Sequence, residues 1–209
     1  MKVLPYNIAI LPPAAIRRKA IKISAMLRKK GGMFSLGEKK FVPHITIYIL
    51  DLPAKNEKKA ISKLKSLAAK MAPIEFNSLR YRNSGRGYAE ILYKKNRAAV
   101  ELQGRVVKAI NPLREGIIRD RYKSVLNVIP RGMRENVNKF GFSDVGVKYR
   151  PHLTLTRFPN NRKADLKMIG RRGLSFVVSE IGIYRRGENG TCRKLIAKFI
   201  LSLRKSRNS

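Results

Sequence analysis

The sequence predicts an α+β fold: two related halves of mostly antiparallel sheet, with helices on their outer faces. Three observations carry that expectation. Apolar residues recur at helical spacing in three segments. The later strand pairs are joined by Gly-containing turns, as in hairpins, and not by the crossover helices that parallel strands need. One phrase also occurs twice: FVPHITIYIL at 41–50 returns as YRPHLTLTRF at 149–158, each centred on Pro-His-x-Thr.

Taken in order, residues 6–11 read as a short strand. A helix follows, with Ile16, Ala20, Ile23 and Leu27 on one stripe and Arg17, Arg18, Lys19 and Lys22 turned away, ended by Gly31-Gly32. A short strand at 33–36 leads into the first His phrase. Asn56 is placed to cap a second helix, whose stripe of Ala60, Ile61, Leu64, Leu67, Ala68 and Met71 is stopped by Pro73. Strands at 74–82 and 88–93 flank the turn NSGRG, and a third helix at 97–110 points Leu102, Val106 and Ile110 inward. Residues from about 111 to 146 are the least periodic and read as a connector with two short helices. After the second His phrase come a short helix at 162–169, strands at 175–185 and 192–201 around the turn RGENG, and a loose basic tail at about 203–209. Each half therefore runs His-phrase strand, helix, strand, Gly turn, strand. That order implies an internal duplication within one domain spanning residues 1–209.

Bulk composition narrows the function classes. With 209 residues and 44% hydrophobic content the chain has material for a packed interior and does not read as disordered. No apolar run approaches the roughly eighteen residues that span a bilayer. The start MKVLPYNIAILPPAAI carries a lysine and an apolar stretch, but Asn7 and Pro12-Pro13 interrupt it, so a strand turning into a helix is expected there and not a leader. The single Cys192 has no partner for an internal disulfide, which suits a reducing cytoplasm and excludes a Cys-based metal site. Forty-seven Lys and Arg against thirteen Asp and Glu give a net charge of +34. That imbalance favours an anionic partner, nucleic acid first, although a generally basic cellular composition produces the same excess. A membrane surface fits less well, because no helix combines a basic face with bulky aromatic anchors.

The repeated phrase holds the only two histidines, His44 and His152, and two of only four threonines, Thr46 and Thr154. Chance placement of Thr two residues after both histidines is on the order of one in a few thousand. Strand alternation puts Ile45, Ile47 and Ile49 on one face and His44, Thr46 and Tyr48 on the other. In the second phrase Leu153, Leu155 and Arg157 share a face, opposite His152, Thr154, Thr156 and Phe158. The His/Thr faces are then exposed or line a cavity. If the two strands lie side by side about a pseudo-twofold axis, the imidazoles face each other across room for one small anion. With ordinary values near 6.5, one can be neutral and the other protonated, as concerted general base and acid require. The threonine hydroxyls can donate to non-bridging oxygens of a phosphodiester. Tyr48 and Phe158 are candidates for stacking on a base, and Arg157 for a phosphate contact or a structural role. Two histidines without a carboxylate or thiolate cluster make a poor metal site, so neither metal nor cofactor is expected.

The duplicated PHIT at His44 and PHLT at His152, the spacing between them, the helix-strand-hairpin order and the closing IGIYRRGENG hairpin resemble the two-histidine phosphoesterase superfamily. Its members include the 2′-5′ RNA ligases and the 2′,3′-cyclic nucleotide phosphodiesterases. The resemblance implies two pseudo-twofold-related lobes around a basic central groove, with His44, Thr46, His152 and Thr154 as a catalytic tetrad. By similarity His44 takes the acid role toward the leaving ribose oxygen and His152 the base role toward water. The expected substrate is an RNA or nucleotide carrying a cyclic phosphate or a 2′-5′ linkage, handled by a cytoplasmic monomer, with ligation as a possible reverse reaction. The chain departs from the bacterial ligases in following Thr46 with IYILDLP where a Phe-Leu-Gly-like ending is usual, and in its longer connector. Two other functions stay open at this point: a non-catalytic basic RNA-binding protein, and a phosphodiesterase of small cyclic nucleotides.

Overall fold

Five α-helices and nine strands appear in the computed structural model, which describes residues 1–167, 169 and 173–202. In chain order they are β1 (Val3–Ile10), α1 (Ala14–Lys29), β2 (Ile45–Pro53), α2 (Glu57–Ala68), β3 (Ile74–Phe76), β4 (Ser78–Asn83) and β5 (Tyr88–Tyr93). There follow α3 (Arg97–Ile110), α4 (Asp120–Lys123), α5 (Arg131–Phe140), β6 (His152–Arg157), β7 (Phe176–Val178), β8 (Glu180–Arg186) and β9 (Cys192–Ile200). Seven strands make one sheet in the order β4-β5-β6-β2-β1-β8-β9, and β3 pairs with β7 in a second sheet. Every pairing is antiparallel, as the hairpin turns predicted.

The two His strands are neighbours at the centre of the large sheet. They touch through one residue pair, Ile45 with Leu153, which is the residue after each histidine. Neither His strand pairs with the hairpin that follows it in sequence. The β4–β5 hairpin lies beside β6, and the β8–β9 hairpin lies beside β1, which carries β2. Helix α1 packs against β6, α3 against β2, and α2 against α3 and β9. The core between these helices and the sheet includes Ile45, Ile47, Leu153 and Leu155, all fully buried, with Ala20, Leu27, Leu64, Leu102, Val106 and Ile110 opposite them. Burying side chains of this size contributes about 1.5–3 kcal/mol each, and it fixes which face of each His strand is left for the groove.

Several local expectations give way to specific contacts. Residues 33–36 are not a strand, because side-chain hydroxyls take the place of a ladder. Thr156 Oγ1 donates to the Phe34 carbonyl at 2.6 Å, and the Leu36 N–H donates to Ser24 Oγ at 2.8 Å. Asn56 precedes α2 without capping it; its amide donates instead to the Leu113 carbonyl and to Glu115. The expected strand at 74–82 breaks at Asn77, and that at 175–185 breaks at Ser179, so that β3 and β7 can leave the main sheet and pair together. No helix forms over 162–167: Asn83 clamps Ala164 with its amide, donating to the Ala164 carbonyl and accepting from its N–H. The basic tail at 203–209 lies outside the described residues. Connector residues 111–146 do contain two short helices, α4 and α5.

Candidate active site

Each histidine enters its strand from an irregular segment and is tethered by the same local bond. His44 Nδ1 lies 2.7 Å from the Val42 carbonyl, and His152 Nδ1 lies 2.8 Å from the Arg150 carbonyl. A carbonyl oxygen can only accept, so in both rings Nδ1 carries the hydrogen and Nε2 is left to work as acceptor or proton donor. The two rings, Thr46 and Thr154 line one groove of about 590 Å³. The Ile45–Leu153 pair sets this convergence. Side chains diagonal to each other across an antiparallel pair have Cα atoms roughly 7–8 Å apart, which leaves room for one tetrahedral anion. His44 also senses the charge of His152, one of the influences that lower its pKa.

Burial is the largest of those influences. It outweighs the carbonyls of Val42 and Gly190, which favour the charged ring, and holds His44 below its ordinary value of 6.5. His44 is therefore neutral at neutral pH. The walls of the groove come from paired features: the turn after β4 supplies Ser84, Gly85 and Arg86, and the turn after β8 supplies Asn189, Gly190 and Thr191. The loop before β2 adds Phe34, Leu36 and Phe41, and the connector adds Arg121, Met133, Phe142 and Asp144. Gly87 closes the first turn at φ +76, where a Cβ would stand 2.6 Å from the Phe158 carbonyl, so no larger residue fits there without moving β6.

Strand parity fails beyond each threonine, for one physical reason. Ala9 pairs with Thr46 and Ile8 with Tyr48, leaving Ile47 as an extra residue; Glu90 pairs with Thr154 and Ala89 with Thr156, leaving Leu155 as the extra one. A bulge shifts the alternation by one position. Tyr48 is accordingly fully buried, donating its hydroxyl to Asn111 Oδ1 at 2.9 Å and the Phe140 carbonyl at 2.6 Å, while Ile49 takes its place in the groove. Thr156 turns inward to the Phe34 backbone. Phe158 is 1% exposed within the core, under the Arg162 guanidinium. Neither Tyr48 nor Phe158 can stack on a ligand base, contrary to the sequence expectation. Arg157 donates from Nε to the Arg86 carbonyl at 3.2 Å and covers the Tyr88 ring at 5.3 Å, so it braces the turn of the groove wall.

Three residues escaped the sequence reading: Asn7, Glu90 and Arg82. Asn7, fully buried on β1, donates to Thr46 Oγ1 at 3.3 Å and to the Gly190 carbonyl at 2.8 Å, tying threonine and turn together. Glu90 on β5 is 4% exposed, accepts from Arg82 Nε and Nη2, and stands 3.8 Å from His152 Nε2. A signal was available for two of them: an amide inside YNIAIL and a carboxylate inside YAEILY are polar groups in runs otherwise bound for the interior, where they persist only with partners. Cys192 is buried with its thiol pKa pushed well up, an inert packing residue. Among the described residues no group of three or more His, Cys, Asp and Glu side chains is gathered to hold a metal ion, and no helix is long and apolar enough to cross a membrane.

A family model described as "Protein of unknown function (DUF1045)" matches residues 51–179, more than half of the chain; the match holds His152 and Thr154 and begins after His44 and Thr46. No curated protein matches the sequence. Among solved structures, TT0787 of Thermus thermophilus is similar over 97% of this chain and 100% of that one, at 17% identity and TM-score 0.65. LigT of E. coli in apo form is similar over 97% and 99%, at 16% identity and TM-score 0.61. A structure described as a phosphoesterase is similar over 96% and 99%, at 17% identity and TM-score 0.62. The chain shares their fold, as the resemblance of its motifs implied.

Proposed function

The chain belongs to the DUF1045 family, and from that premise and the geometry of the groove we propose that it is a metal-independent phosphoesterase of the two-histidine kind. Its substrate is an RNA or nucleotide ending in a 2′,3′-cyclic phosphate, opened to a 2′-phosphate. One observation carries the proposal: two imidazoles with the same tethered Nδ1 present their remaining nitrogens, with a threonine each, to a single groove. The phosphorus would sit between them. One neutral imidazole takes a proton from water as its oxygen attacks; the charged one gives a proton to the ribose 3′ oxygen as the P–O bond breaks. Thr46, steadied by Asn7, and Thr154 would hold the non-bridging oxygens. LigT, which shares the fold, has been crystallised with phosphate, ATP, 3′-AMP and NADP+, all phosphate-bearing ligands, and this supports a phosphate position in the groove. On this proposal the chain is one bilobal unit whose halves repeat around the substrate.

The test is a product map. The protein is supplied with a 2′,3′-cyclic mononucleotide, a cyclic-phosphate-ended RNA and a 2′-5′-linked RNA in excess chelator. Opening of the cyclic phosphate to a 2′-phosphate is expected, undiminished by the chelator. Faster turnover of the RNA than of the mononucleotide would assign the +34 charge to substrate binding. No product from any of the three by folded protein would overturn the proposal.

A further inference from the structure

Besides the histidines, four aromatic rings among the described residues line the groove: Phe34, Phe41, Tyr88 and Phe142. The protein itself takes up three of them. Phe34 and Phe142 are buried, Phe142 tilted against Tyr48, and Tyr88 lies under the Arg157 guanidinium at 5.3 Å. Phe41, in the loop before β2, is half-buried. Phe34 covers one of its faces, with ring centres 4.8 Å apart and planes 17° from parallel. The exposed Lys40 ammonium stands over the ring at 5.4 Å, a contact weak enough at such a site for a flat ligand to displace. The backbone holds this ring under strain. Phe41 has φ +54, the left-handed region that bulky residues rarely occupy and that glycine enters freely. Strain of this kind clusters at ligand sites, where surrounding contacts over-determine it. The ring beneath is fixed to the second His strand: the Met33 N–H donates to the Arg157 carbonyl at 2.7 Å, and Thr156 Oγ1 donates to the Phe34 carbonyl at 2.6 Å. Phe41 also stands three residues before His44, a length of chain no greater than about 11 Å.

We propose that Phe41, backed by Phe34, is the platform on which the base of a bound nucleotide stacks, so that the groove selects phosphates carrying an aromatic base over those without one. The inference rests on the phosphoesterase reading for the place of the phosphate. A phosphate held between the histidines leaves its base within reach of a ring so near His44 in the chain. Every base has a flat π face, so a stacking platform accepts all of them, most strongly those with the larger rings. A platform already stacked on Phe34 and anchored to β6 loses little freedom when the base arrives, and more of the contact energy shows as affinity. Phe41 thus fills the role that burial denies to Tyr48 and Phe158.

Calorimetric binding of adenosine 2′-phosphate and of inorganic phosphate to the full chain tests the platform without turnover. Phe41→Leu keeps apolar cover but removes the ring; it should weaken adenosine 2′-phosphate by about tenfold and leave inorganic phosphate unchanged. Phe41→Tyr should bind both as the native protein does. The chain contains no tryptophan, so Phe41→Trp introduces a single indole whose emission reports the site. Saturating adenosine 2′-phosphate should quench that emission, and inorganic phosphate should not. A loss in Phe41→Leu that falls equally on both ligands, an unchanged affinity for adenosine 2′-phosphate, or an indole that the nucleotide leaves unquenched would overturn the platform. If Phe41→Leu does not fold, the quenching in Phe41→Trp decides alone. Because binding needs no turnover, failure of the proposed activity leaves the outcome readable. If phosphate binds and the base makes no difference, the platform fails while the phosphoesterase reading stands.

Discussion

His44→Gln and His152→Gln should each lower kcat on a cyclic-phosphate substrate by about a thousandfold, close to 4 kcal/mol of transition-state stabilisation. Each change removes a proton acceptor or donor while keeping an amide that can still reach the backbone tether. The double variant should be little worse than either single one. Acid and base act on the same step, and losing either leaves the other without a partner. KM should move far less, since the threonines and the groove walls remain. Single-turnover rates alongside circular dichroism provide the check. The pH profile of the native protein adds a sign. Burial holds the pKa of His44 below 6.5, so the limb of the rate profile that this ring sets should fall below pH 6.5, whichever proton transfer it carries. The same shift predicts that His44 costs no stability above pH 6.5 and weakens the fold at lower pH, where the unfolded ring binds a proton that the native ring resists.

Phe158→Ala should destabilise the protein by about 3–5 kcal/mol, the second largest effect expected. Phe158 is 1% exposed, its N–H is bonded to the Gly87 carbonyl at 2.8 Å, and a cavity there would sit under the first groove turn. Tyr48→Phe should cost less, about 1–3 kcal/mol, by taking the hydroxyl donor from the Phe140 carbonyl, while Asn111 Oδ1 keeps Arg114 Nε at 3.2 Å. Urea unfolding measures both. Neither change should raise KM for a nucleotide beyond what lost stability explains. A rise in KM at full stability would return these rings to the groove that the bulges remove them from.

What the sequence revealed, and what it hid, follows from the range of the interactions involved. The tetrad was legible because two rare residue types recur at fixed spacing in matched contexts. The three long helices were legible because their stripes are local. The bulges at Ile47 and Leu155 were not, because an extra residue in a strand is set by its neighbour's register. The residues themselves are ordinary β formers with no Gly or Pro to mark the spot. This one miss accounts for Tyr48, Thr156 and Phe158 together. The missing helix after β6 has a different origin. The Asn83 clamp on Ala164 reaches across eighty-one positions in sequence, and no local pattern announces it. Glu90 could have been suspected as a buried carboxylate in need of a cation. That the cation is Arg82, and that a histidine stands on its other side, depends on β4, β5 and β6 lying edge to edge.

The central claim is that both imidazoles face one bound phosphate. Titrating inorganic phosphate into the protein while following the two histidine Cε1–H signals tests it directly. Both signals should shift together along one saturation curve with a single Kd, and both responses should weaken in Thr46→Val and in Thr154→Val. Movement of only one signal, or two curves with different Kd values, would mean that the rings do not share an anion, and the proposed chemistry would have no site.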